Sequence, residues 1–220
     1  GGAHSPAYPS IVAGGANACI LHYTENSDVL VDGDLLLIDA GAEIDCYAAD
    51  ITRTFPVNGR FTAEQKALYE VVLEAQLAAI ASVKPGRCWN DPHDAAVAVL
   101  TEGLIDLGLL SGNANERIED NSYRRFYVHR TGHWLGLDVH DVGDYKINNE
   151  WRLLESGMAL TVEPGLYIAP AKDIDLCWHN IGIRIEDDVL VPAKGLEVLT
   201  GGAPKLPVEV EALMADSNAG

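Results

Sequence analysis

The chain has no long apolar run, no paired cysteines and little positive charge. None of its stretches reaches the ~18 consecutive apolar residues that a membrane-spanning helix needs, and no secretory signal pattern opens it. The four cysteines, Cys19, Cys46, Cys88 and Cys177, stand far apart without a CxxC pair. That argues against a zinc ribbon, and a chain of 220 residues does not demand a disulfide framework. Reduced, mostly buried thiols in a cytoplasmic protein are expected. Lys and Arg number 15 against 33 Asp and Glu, a formal charge of −18. So acidic a chain lacks the positive footprint that nucleic-acid binding requires. Most of the excess reads as a solvated acidic surface, although a few of the carboxylates would suffice to hold cations.

What is present is the composition of a globular protein, 48% hydrophobic and 22% charged, long enough for one domain with a full core. The first residues, GGAHSPAYPSIVAGGANA, read as loop, and CILHY after them as a strand. GDLLLIDAGAE and CYAADITRTFPV read as two more strands. Thr62 and Gln65 form a capping box for a long helix with Leu68, Val71, Val72 and Leu73 in its stripe, ending near Lys84–Gly86. A second helix starts at NDPHD, with Asn90 or Asp91 as cap and Pro92 in its first turn. It carries Ala96, Val99, Leu100, Leu104 and Leu107 inward and stops near Gly108. SGNANERIEDNSYRR reads as a polar connection, the chain beyond as strand and loop, and VEVEALMAD as a short closing helix.

An internal echo runs through this pattern. DGDLLLIDAG, from Asp32, lies over SGMALTVEPG, from Ser156, at an offset of 124, so that Asp39 meets Glu163. Each segment is followed by a second strand with its own acid, Asp50 in AADITR and Glu186 in GIRIED. A duplication is the natural reading. Asp39 ends the apolar run Leu35–Ile38, where a lone carboxylate is costly unless it is paired or bound to metal. A hairpin turning at Ile44–Asp45 would set Asp39 directly opposite Asp50, with Cβ atoms about 4.5–5.5 Å apart. Two carboxylates that close share a proton or a cation. The plainer reading has each acid capping a turn or pairing with Arg53 or Arg184. Four acids in two matching hairpins favour a metal site, and oxygen-rich ligation leans to Mn²⁺, with Co²⁺, Zn²⁺ or Fe²⁺ as alternatives.

The seven histidines are unevenly spread: His129, His133 and His140 fall in YVHRTGHWLGLDVHDVG. His129 and His133 have i, i+4 spacing, but Thr131-Gly132 is a poor helix interior and HWLGLDVHD looks extended. No Glu follows the first His, so this is not the HExxH motif. One ligand and two supporting donors is the expected division, since substrate needs an open metal position.

LLLIDAGAE…YAADITRTFPVNGRFT, HWLGLDVHDVG, LTVEPGLYI and GIRIEDD resemble the signature blocks of bacterial Xaa-Pro aminopeptidases, relatives of prolidases and methionine aminopeptidases among the pita-bread metallopeptidases. The resemblance runs from about Tyr8 to Met214. It implies an α+β pita-bread fold, two duplicated halves joined in a curved antiparallel sheet with helices outside. It implies one catalytic domain over residues 1–220, with the family's N-terminal domain outside this sequence. It also implies two divalent ions held by Asp39, Asp50, His133, Glu163 and Glu186, with Asp50 and Glu186 bridging. In that scheme a hydroxide between the ions attacks the Xaa-Pro bond, Glu163 shuttles the proton, and His129 or His140 donates to the oxyanion. His22, Tyr8, Tyr167 and Arg184 match residues that line the substrate site. The implied partner is a peptide with proline in second place, without nucleic acid or membrane, and self-association into a homo-oligomer is allowed for. Prolidase, methionine aminopeptidase and a non-catalytic peptide-binding module of the same fold are the alternatives.

Overall fold

A computed structural model describes residues 2–217. The chain opens with β1 (Ser5–Pro6) and β2 (Ile11–Gly14), then a 3₁₀ turn at Gly15–Cys19. The Gly/Pro-rich start therefore supplies strands where loop was expected. CILHY forms no strand: Cys19 closes the 3₁₀ turn and the residues after it run irregularly. Gly15 has φ of +54°, a left-handed conformation that turns the chain out of β2.

β3 (Leu35–Asp39) lies between β2 and β6 (Thr52–Pro56) in an antiparallel sheet. Between β3 and β6 the chain makes a second small ladder from β4 (Ala42–Ile44) and β5 (Tyr47–Ala48). The turn uses Asp45 and Cys46, both at positive φ (50° and 65°), as a two-residue hairpin with matching twist requires. It therefore falls one residue later than the sequence suggested. Asp39 pairs with Thr52, not with Asp50, and the two acids are diagonal neighbours. At Gly41 a Cβ would stand 1.6 Å from the Ala49 carbonyl oxygen, so only glycine fits where the hairpin kinks beneath them.

Two helices follow, α1 (Ala63–Ser82) and α2 (Asp91–Asp106). The Thr62/Gln65 capping box is formed, and Asn90 precedes α2 with Pro92 in its first turn. Leu68, Val72, Leu73, Ala96, Leu100 and Leu104 are buried where the two helices pack together. The polar connection is partly helical: α3 spans Ala114–Glu119 and a 3₁₀ turn spans Ser122–Arg125. Asn113 caps α3 through its side chain, a local signal that composition alone hid. A hairpin of β7 (Lys146–Ile147) and β8 (Glu150–Trp151) then projects from the rim.

The second half repeats the first. β9 (Ala159–Val162) and β10 (Gly165–Ile168) pair antiparallel with β12 (Asp187–Leu190) and β11 (Ile181–Arg184), and β13 (Glu197–Val198) edges β12. One register runs through both ladders, pairing Val162 with Asp187 and Gly165 with Arg184. It sets Glu163 across from Glu186, the opposition that the first half lacks. The halves meet along their return strands. Glu186 N donates to Thr52 O, and Arg184 N to Thr54 Oγ1. α1 lies over β9, β10 and β11, and α4 (Pro207–Ser217) packs on α1. One apolar cluster runs from Leu35 through α1 and α2 to Val191, joining both halves. No helix among the described residues is long and apolar enough to cross a membrane. The four cysteines are free, but Cys46 and Cys177 are exposed and the other two only half-buried, so the expectation of mostly buried thiols fails. Cys46 is exposed because it sits at the hairpin tip.

Candidate active site

Four carboxylates end or follow strands that meet at the centre of the molecule. Asp39 closes β3, Asp50 lies two residues before β6, Glu163 follows β9, and Glu186 sits between β11 and β12. The histidine segment is laid beside them by β9. Leu135 N donates to Ala159 O, Thr161 N to His133 O and Glu163 N to Thr131 O. Gly132 permits this approach, since a Cβ there would stand 2.0 Å from the Thr161 carbonyl oxygen. The result is a cavity of about 560 Å³ lined by Asp39, Asp50, His129, His133, Glu163 and Glu186, among others.

His133 Nδ1 lies 2.9 Å from the Trp134 carbonyl. A carbonyl only accepts, so this nitrogen carries the proton and Nε2 faces the acids. Nε2 is 3.4 Å from Asp50 Oδ2 and 3.6 Å from Glu163 Oε1. Asp50, His133 and Glu186 each present a ligand atom, all within 4.8 Å of one another. Glu186 accepts a hydrogen bond from Thr52 Oγ1 at 2.6 Å. The Tyr8 hydroxyl lies 2.5 Å from both Asp39 Oδ1 and Asp50 Oδ1, and its single proton serves one of them at a time.

The electrostatics of so many acids is unfavourable without cations. Burial pushes the Glu186 carboxyl well above its usual range, and the charges of Asp50, Glu163 and Asp39 add to the shift. Burial likewise pushes Glu163 up to about 7 against the pull of His133 and Arg184. Asp39 is raised by burial although Arg184 opposes it. At Asp50 burial is outweighed by His133 and the Tyr8 hydroxyl, and the net direction is down. Burial lowers His133, but its acidic neighbours prevail and hold it up at about 8. A lone pair aimed at two carboxylate oxygens calls for a positive charge between them, and a proton or a metal ion meets that need. The donor set, oxygens with one imidazole nitrogen held by its other ring nitrogen, fits divalent first-row ions.

The remaining expected residues are in or beside the same cavity, with different freedom. Arg184 is buried and donates to Asp39 Oδ2 at 2.6 Å, to Thr52 Oγ1 and to the Tyr167 hydroxyl. The plain arginine pairing thus holds for Asp39. Arg53 instead pairs with Asp187. His129 Nδ1 donates to the Arg130 carbonyl (2.8 Å), so Nε2 accepts from the Tyr167 hydroxyl (2.8 Å). Burial holds the His129 imidazole down at about 4 and pushes the Tyr167 phenol up to about 12. Both nitrogens of His129 are therefore engaged. His140 is exposed and stands edge-on to His133 at 4.3 Å between centroids. His22 is exposed on the cavity wall.

Sequence reasoning missed several neighbours. Asp188 accepts from Asp50 N at 3.0 Å, and burial pushes its carboxyl up to about 7. The doubled acid in IEDD is its only trace in the sequence. The rim, formed by Leu21, Trp89, Arg130, Tyr145 and Trp151, comes from four separate segments and carries no local motif.

The profile of metallopeptidase family M24 matches residues 1–193. The chain is 52% identical over 212 residues to a Xaa-Pro aminopeptidase of Haemophilus influenzae, covering 96% of this chain and 49% of that protein. It superposes on the structure of Pseudomonas aeruginosa aminopeptidase PepP with a TM-score of 0.98 at 61% identity, covering 100% of this chain and 50% of that one. A glutamate-to-alanine variant of Escherichia coli aminopeptidase P in complex with substrate gives 0.96 at 48% identity, again with 100% and 50% coverage. The chain thus spans about half the length of the curated relatives it matches.

Proposed function

The chain belongs to metallopeptidase family M24 and has its α+β pita-bread fold, and from that premise we propose that it is the catalytic domain of a two-metal Xaa-Pro aminopeptidase. The observation that carries this is the convergence of Asp39, Asp50, His133, Glu163 and Glu186 on one cavity beside His140. These five residues would hold the ions, manganese being favoured by the oxygen-rich donor set. When bound, the ions would supply a water activated near neutral pH and polarise the scissile carbonyl.

The chain's own groups account for the rest. Glu163 takes a proton on its carboxylate and returns it to the leaving nitrogen, which matters at a proline because that nitrogen is a tertiary amide. His140 donates to the carbonyl oxygen as charge develops there; it has the freedom that His129 lacks. His129 is held by Tyr167 and Arg130 and shapes the wall. The acidic floor attracts the α-ammonium group of a peptide, which favours an exopeptidase. Arg184 and Tyr8 fix the Asp39 and Asp50 carboxylates. Four unpaired cysteines suit the reducing cytoplasm.

The test is turnover by the metal-loaded chain of Xaa-Pro dipeptides, Xaa-Pro-Yaa tripeptides and Met-led peptides, with products identified by mass. Release of the residue before proline from the tripeptides is expected. Cleavage of Met-led peptides alone, or of dipeptides alone, would move the assignment to methionine aminopeptidase or prolidase.

A further inference from the structure

The cavity is electrically lopsided. Its floor carries four carboxylates, and Arg184, one of the two arginines lining it, is committed to Asp39, Tyr167 and Thr52. The other is Arg130, which is exposed at the rim. Its guanidinium lies over the Trp151 ring at 5.1 Å from the centroid, and Lys146 Nζ lies 4.1 Å from the same centroid. Arg130 Nη2 donates to Asn90 Oδ1, and Asn90 in turn donates to Asp94 Oδ1 at 2.7 Å. The aromatic ring and this amide hold the guanidinium in place, while Nε and Nη1 make no hydrogen bond among the described residues.

We propose that Arg130 is the anchor for the C-terminal carboxylate of short peptide substrates, binding the residue that follows proline. The inference rests on the peptidase reading of the same cavity. A planar guanidinium with free N–H groups matches a carboxylate in geometry and charge. Its placement suits the direction of the substrate: the ammonium end goes to the acidic floor and the opposite end faces the rim. Distances agree. An extended chain advances about 3.3–3.6 Å per residue, so the carboxylate of a tripeptide lies within roughly 7 Å of the carbonyl cleaved after its first residue. Arg130 is three residues from His133, which keeps the two Cα atoms within roughly 11 Å, a gap that an arginine side chain and one proline residue can span. Trp151 and Trp89 beside it offer an apolar wall to the side chain of that third residue.

The experiment compares one tripeptide, Ala-Pro-Leu, as free acid and as C-terminal amide, on the metal-loaded chain. The free acid is expected to have a KM about tenfold lower, and Arg130→Ala to raise the acid's KM to that of the amide with little change in kcat. Arg130→Lys should keep part of the preference, and Arg130→Gln, which retains a donor toward Asn90, should lose it. The same comparison is made by calorimetry with Pro-Leu and its amide, which needs no turnover. If no Xaa-Pro peptide is cleaved, the peptidase reading falls, yet the binding arm still decides the role of Arg130. Equal affinity for acid and amide in the unmodified chain, or a preference that survives Arg130→Ala, would overturn the proposal. So would a preference lost only in Lys146→Ala.

Discussion

His133 gives one ring nitrogen to the Trp134 carbonyl and turns the other toward Asp50 and Glu163. On the proposed function, this tautomer leaves the Nε2 lone pair free to bind a metal ion. His140, only seven residues on, makes no hydrogen bond among the described residues and stays exposed beside His133. The two histidines look alike in the sequence, and their surroundings divide the work. His140→Ala is therefore expected to keep its metal content, read by elemental analysis, while kcat falls roughly 10²–10³-fold, as for the loss of one oxyanion donor. Loss of metal together with activity would make His140 a ligand instead.

At the scale of elements, the site depends on how closely β9 and the histidine segment run. Gly132→Ala would place a Cβ 2.0 Å from the Thr161 carbonyl oxygen, so one backbone must retreat. We expect a stability loss of about 1–3 kcal/mol, several degrees in Tm, and weaker metal binding although no ligand is removed. An unchanged Tm would show that the segment moves freely. α2 secures the same segment from behind through His93, whose Nδ1 lies 2.9 Å from Thr131 Oγ1. Burial, helped by nearby arginines, holds the His93 imidazole down at about 3 against an ordinary 6.5. A base depressed in the folded state contributes stability that is fully present above about pH 6.5 and lost as pH falls toward 3. His93→Gln should lower Tm at pH 7.5 yet flatten the fall in Tm between pH 6.5 and 4, a difference on the order of a few kcal/mol. Parallel curves for the two proteins would contradict this role. The elements themselves were legible where local rules act alone, as in the Thr62 capping box and the two long helices. Register was not, because the Asp45–Cys46 turn fixes it through backbone conformation and a one-residue shift of the turn moves every partner.

For the molecule as a whole, the duplication was readable because each half ends an apolar strand on an acid, a pattern that burial makes costly and so informative. What could not be read is the crossing of the halves: Thr52 on Glu186, Asp188 on the Asp50 amide, and Arg53 with Lys205 around the buried Asp187. These contacts join residues more than a hundred positions apart in most cases, and no spacing rule reaches so far. The rim residues were hidden for the same reason. On the proposed function, five residues, two from one half, two from the other and one imidazole laid between them, would hold two ions that neither half could hold alone. The most direct measurement counts ions bound to the metal-stripped chain on titration with Mn²⁺, by calorimetry and elemental analysis, for the unmodified chain and for Asp39→Asn. Two ions per chain, and fewer in Asp39→Asn, is the expected result. No stoichiometric binding, or an unchanged count in the variant, would contradict the account.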